Sequence, residues 1–273
     1  MSASPHNIWR VPAYLPYVQP PLTDQVLRDA ERLIGHRLPE PYIALIKQQN
    51  GGYIRHRLPD CLHSQIYGIG PHFPSLTGFD WEGSRESVSY ELTGLVPFDG
   101  DGHWHLCFDF RGGRSVPAVT YVDVECDSEL EIASSFDDYL ALLRVDVGEG
   151  DFVMLGISDI EKTVHDLEGR IGVQFEPPDS YDHGYPIRRA RGGRRASPEW
   201  IWISPNLVPC GFVRDDDPRF EELRASMSGH APRYPEVPEA SYILSTTDGL
   251  RAAVLRACTD CTIDVKPLIS YIT

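Results

Sequence analysis

The 273 residues read as an α+β protein in which helices and strands are segregated along the chain. Three observations say so. Apolar residues recur every three or four positions between Leu22 and Tyr53, alternate with polar ones between Leu95 and Glu125, and return to helical spacing from Ile132 to Leu143. The order helix, helix, strands, helix then closes a domain near Arg144.

Residues 1–21 carry Pro5, Pro12, Pro16, Pro20 and Pro21 among the aromatic side chains Trp9, Tyr14 and Tyr17. That composition predicts an extended arm that packs on the body. Thr23 opens the first helix as an N-cap, Leu22, Val26, Ala30, Leu33 and Ile34 form its apolar stripe, and Gly35 ends it in a left-handed conformation. Pro41 starts a second helix with Tyr42, Leu45 and Ile46 on its buried side, and Asn50-Gly51-Gly52 stops it. Two such stripes cannot bury each other alone, so the pair needs a sheet to sit on.

Tyr53 to Glu91 reads as one short strand at Gln65–Ile69 followed by a long irregular segment of the kind that carries recognition, with Trp81 its most prominent side chain. From Leu95, the turn Asp99-Gly100-Asp101-Gly102 leads to the alternating stretch His103–Phe110. Arg111-Gly112-Gly113-Arg114 then turns the chain into a second strand, Pro117–Glu125. The closing helix has Ser134 or Ser135 as cap, Asp137 and Asp138 in its first turn, and Phe136, Tyr139, Leu140 and Leu143 on its buried face. Leu33, Ile46, Phe108, Val122 and Tyr139 are expected to share one interior.

No apolar run reaches the roughly 20 residues that span a bilayer, and the first 19 residues lack the apolar core of a signal peptide, so the cytoplasm is the expected compartment. Six cysteines, scattered except for Cys258-x-x-Cys261, are no disulfide framework for a chain this long. A formal net charge of −15 argues against nucleic acid held across the whole surface and favours a basic partner, so no direct binding of nucleic acid is expected.

The second half, residues 146–273, reads as a second α+β domain. Residues 146–158 form a glycine-containing linker, and Asp159–Phe175 a helix. Leu167-Glu168-Gly169-Arg170-Ile171-Gly172-Val173-Gln174-Phe175 echoes Ala30-Glu31-Arg32-Leu33-Ile34-Gly35-His36-Arg37-Leu38 and suggests a divergent partial repeat. Trp200–Asn206 and Tyr242–Ser245 read as strands, Pro218–Met227 and Asp248–Cys258 as helices, and Arg188–Arg195 as a basic loop.

Few groupings suggest chemistry. Asp101, His103, His105, Cys107 and Asp109 fall on one face of the predicted strand, where two histidines and an acid could hold a metal, although such sites draw ligands from separate elements. Cys258 and Cys261 lack the second pair that a zinc site needs, and no nucleophile elbow, phosphate loop or HExxH motif is present. No cofactor is expected.

Four ordered stretches carry a resemblance. LxxAERLIGHRLPEPYxxLIKQQNGG, LVPFDGDGHWHLCFDFR, PAVTYVDVE and IASSFDDYLALL together resemble the SUKH superfamily, the Smi/Knr-type domain, over residues 22–145. The resemblance implies a SUKH-like mixed sheet flanked by helices, extended by the C-terminal α+β domain. It also implies a non-enzymatic immunity protein that neutralises a bacterial toxin, a nuclease or deaminase, by covering its basic active site. On that reading Trp81, Glu82, Asp99, Asp101, Trp104 and Asp109 are the candidate partner-binding residues, chosen by type and expected position. A scaffold module for signalling proteins, and a metal-dependent enzyme using His103 and His105, are the alternatives.

Overall fold

In a computed structural model that describes residues 8–59, 64–194 and 197–272, the chain divides into two compact units, residues 1–146 and 147–273. The first is built on two helices and a four-stranded sheet. Helix α1, Asp24–Ile34, starts where Thr23 Oγ1 accepts the Val26 N–H at 3.2 Å and ends at Gly35 with φ of 81°. Its buried stripe runs through Leu27, Ala30 and Ile34. Leu33, expected inside, lies to the side of that stripe and is 72% exposed, as Val26 is at 38%.

Helix α2, Glu40–Ile46, carries Pro41 in its first turn and buries Tyr42, Ile43, Leu45 and Ile46. Asn50 then stitches three segments together. Its side-chain amide donates to the carbonyls of Pro20 and Ile69 and its Oδ1 accepts the Ile69 N–H. Gly51 has φ of 90°, and a Cβ there would run into the Gly68 backbone. In the described part of the arm Ile8 lies in the core, hydrogen bonds run from Arg10 N to Tyr53 O and from Arg55 N to Ile8 O, and Leu15–Tyr17 forms a single 3-10 turn.

Strands β1 Leu95–Gly100, β2 Trp104–Asp109, β3 Ala118–Asp123 and β4 Ser128–Ala133 form an antiparallel meander in that order. The mixed sheet implied by the resemblance is therefore corrected to an antiparallel one, as short hairpin connections require. Strand β4 was not expected, and its last two residues fall in the stretch read as helix from Ile132. Ile132 and Ala133 end the strand, and helix α3, Phe136–Leu142, begins only after Ser135, whose Oγ accepts the Asp138 N–H at 3.1 Å.

Both faces of this sheet are covered. Phe98, Leu106, Phe108 and Val119 pack on one side against Tyr42, Ile46, Phe136 and Tyr139. On the other side Cys107, Val122 and Leu95 pack against Trp81, Val88, Tyr90 and Leu92. Of the five residues expected to share an interior, Ile46, Phe108 and Tyr139 do, Val122 points to the opposite face, and Leu33 lies outside. A sheet with two covered faces divides alternate side chains between two cores.

The second unit has a five-stranded antiparallel sheet. It comprises β5 Asp151–Leu155, β6 Arg188–Arg194, β7 Ser197–Pro205, β8 Tyr242–Thr246 and β9 Asp264–Pro267, in the spatial order β6-β7-β8-β5-β9. Helices α4 Ile160–Ile171 and α6 Asp248–Asp260 pack on one face, over Phe152, Met154, Ile201, Ile203 and Leu244; a short α5, Phe220–Leu223, lies between β7 and β8 in sequence. Leaving out β6, the order β9-β5-β8-β7 is that of a split β-α-β arrangement. Two expectations are corrected. The supposed linker contains β5, a central strand, because Phe152-Val153-Met154-Leu155 is buried from both sides and so shows no alternation. The supposed basic loop is β6, paired with β7 along its length.

Candidate partner-binding surface

The side of the β1–β4 sheet away from the helices decides what the candidate residues can do. Alternation sends Trp104, Leu106 and Phe108 to the helix side and His105, Cys107 and Asp109 to the other. There residues 76–92 lie across the strands as a cover. Trp81 Nε1 donates to the Leu95 carbonyl at 3.0 Å, Tyr90 Oη donates to the Asp123 carbonyl at 3.1 Å, and Ser89 N donates to Asp127 Oδ1 at 2.6 Å.

Under that cover His105 is 1% exposed, with its ring against Phe79 at 4.6 Å and Trp81 at 5.1 Å. Both ring nitrogens lack a hydrogen-bond partner among the described residues. Burial brings its pKa down to about 4, against the opposing pull of Asp101 and Asp99, so the ring is neutral. Burial likewise pushes the Cys107 thiol well up, with Asp109 adding to it. His103 is exposed and its Nδ1 meets Glu125 Oε1 at 2.6 Å. The two histidines therefore do not converge, and no group of three or more His, Cys, Asp or Glu among the described residues is placed to hold a metal.

The six candidate residues divide into three kinds. Asp99 and Asp109 are 1% and 5% exposed, which corrects their reading as surface groups. Asp99 accepts the N–H groups of Ser64 and Gly100. Asp109 is held by the Arg111 guanidinium and Thr120 Oγ1; burial raises its carboxyl, but these bonds outweigh it and leave the pKa below the usual range. Trp81 and Trp104 are half-buried on opposite faces of the sheet, Trp104 stacked on Tyr121 at 5.8 Å. Only Glu82 and Asp101 face solvent. Asp101 Oδ1 accepts the N–H groups of His103 and Trp104, which outweighs its partial burial and lowers its pKa.

The residues that sequence reasoning missed are the other carboxylates of the cover and of the turn it is tied to. Asp80, Glu86 and Glu91 are exposed on residues 76–92, and Glu125 and Asp127 are exposed beside them on the β3–β4 turn. Within 79–92 the acids Asp80, Glu82, Glu86 and Glu91 face one base, Arg85. The pattern that could have located them is Phe79, Trp81, Val88, Tyr90 and Leu92, apolar side chains spaced through a largely polar stretch.

No curated protein and no solved structure matches this chain. No helix among the described residues is long and apolar enough to cross a membrane. Residues 21–142 match the SMI1 / KNR4 family (SUKH-1), over the two helices, the four-stranded sheet and α3 described above. The first unit of this chain is thus a SUKH domain of the SMI1 / KNR4 family, a family that includes toxin immunity proteins.

Proposed function

We propose that the SUKH domain is a non-catalytic module that binds a basic bacterial toxin domain, a nuclease or deaminase, and neutralises it by covering its active site. The observation that supports this reading most is the sealed sheet. His105 and Cys107, the inner part of the face that resembled a reactive one, are packed beneath residues 76–92, while carboxylates at Asp80, Glu82, Glu86, Glu91, Asp101, Glu125 and Asp127 face outward. A surface of that kind steers a cationic partner by long-range attraction and meets its active-site Lys and Arg.

Because Asp99 and Asp109 are buried, the proposal places the contact on Glu82 and Asp101 and their exposed acidic neighbours, with Trp81 fixing the cover beneath them. Co-expression with toxin domains encoded beside this gene tests it. Restored growth of a toxin-expressing strain, together with a stable complex of the two purified proteins, is the expected outcome. Unrelieved toxicity for every neighbouring toxin, with no complex on mixing, would remove the reading.

A further inference from the structure

We propose that the second unit binds single-stranded nucleic acid on the outer face of the β6–β7 hairpin. In β7, Ile201 and Ile203 point to the helices, which leaves Trp200, Trp202 and Ser204 on the opposite side. On the β5–β8–β9 part of that side, Val153, Ile243, Tyr234, Val237, Leu268 and Tyr271 form a small core of their own. Among the described residues, neither tryptophan belongs to that core or to the one beneath the helices. Their rings instead lie nearly parallel, 6.2 Å apart and 20° from coplanar, both half-buried.

Charge selects the occupant. The direct cross-strand neighbours of Trp202 and Trp200 are Arg189 and Arg191, both exposed. Further along the same face Arg233 Nη1 donates to Ser204 Oγ at 2.7 Å. Residues 188–195 hold five arginines and no carboxylate in a chain whose net charge is −15; Arg189 and Arg191 lie on this face, while Arg188 is buried on the other and paired with Glu161. Arg189 is paired with Glu176, a carboxylate that a phosphate can replace. Two stacked indoles beside a row of guanidinium groups offer flat π surfaces to bases and cations to the phosphates that join them. A duplex keeps its bases stacked inside, and an acidic peptide has few planar groups to lay on two indoles, so an unpaired strand is the better match.

The test uses the full-length protein with short fluorescein-labelled oligouridylate and oligothymidylate, read by anisotropy and by quenching of tryptophan fluorescence. Both single strands are expected to bind and quench, with affinity falling as salt rises. Trp200→Ala and Trp202→Ala should each weaken binding by about tenfold, Trp202→Phe should keep most of it, and Arg191→Glu should lower it without unfolding the strand. The last two variants decide the matter if the alanine variants fail to fold. Absence of any anisotropy change, binding unaltered by Arg191→Glu, or displacement as effective by duplex or poly-glutamate as by single strand would overturn the proposal.

Discussion

Glu31 and Glu168 show how much one side chain can settle. In each case the carbonyl of the glutamate accepts the N–H of the glycine that ends the helix, Gly35 or Gly172, and its carboxylate accepts the N–H seven residues on, Leu38 at 3.1 Å or Phe175 at 2.7 Å. Leu38 and Phe175 are buried, so the carboxylate satisfies a donor that water does not reach. The likeness noticed between the two stretches thus includes a shared way of ending a helix. Glu31→Ala and Glu168→Ala should each cost about 1–3 kcal/mol, measured by urea unfolding of each variant. His105 gives a second expectation at this scale. Its folded pKa of about 4 lies below the unfolded value near 6.5, so the neutral ring favours the fold above that unfolded value. That contribution is lost as pH falls through the interval between the two. The parent protein should lose roughly 2 kcal/mol more than His105→Phe between pH 7 and pH 5, seen as a difference in denaturant midpoint; equal losses would refute the assignment.

Among elements, the cover formed by residues 76–92 matters most. Its composition, rich in Gly, Ser and Glu, reads as a solvated loop, and its apolar side chains lack the periodicity of helix or strand. Nothing local announces that it closes a sheet face, because Cys107 and Val122, which it covers, are distant in sequence. The same difficulty hid β4 and β5. Ser128-Glu129-Leu130-Glu131 is an exposed edge strand with no apolar face to betray it, whereas β5 is buried on both faces and looks featureless. Helices α1, α2 and α3 were legible because caps and turn residues mark their ends: Thr23, Gly35, Pro41 and Ser135 all act as their chemistry suggests. Removing the anchor of the cover should detach it. Trp81→Ala is expected to destabilise the domain by about 2–3 kcal/mol and to speed amide exchange on β2 and β3. Faster exchange confined to residues 76–92 would show the cover to be dispensable to the sheet.

For the whole molecule, the charge was readable from the first line of sequence but its placement was not. Of the acidic side chains expected on one strand face, Asp109 is buried and holds Arg111 whereas Asp101 is exposed, and the cover adds exposed acids that were not expected at all. The basic stretch expected as a loop is a strand facing two tryptophans, and only cross-strand pairing could reveal that. The proposed toxin recognition therefore rests on exposed carboxylates of the first unit. It is tested most directly by titrating the toxin domain whose toxicity this protein relieves against the parent protein and against Glu82→Lys/Asp101→Lys, at low and at high salt. The account predicts that charge reversal weakens binding by about tenfold at low salt and that the difference shrinks as salt screens it. Equal affinity of the two proteins at both salt concentrations would contradict it.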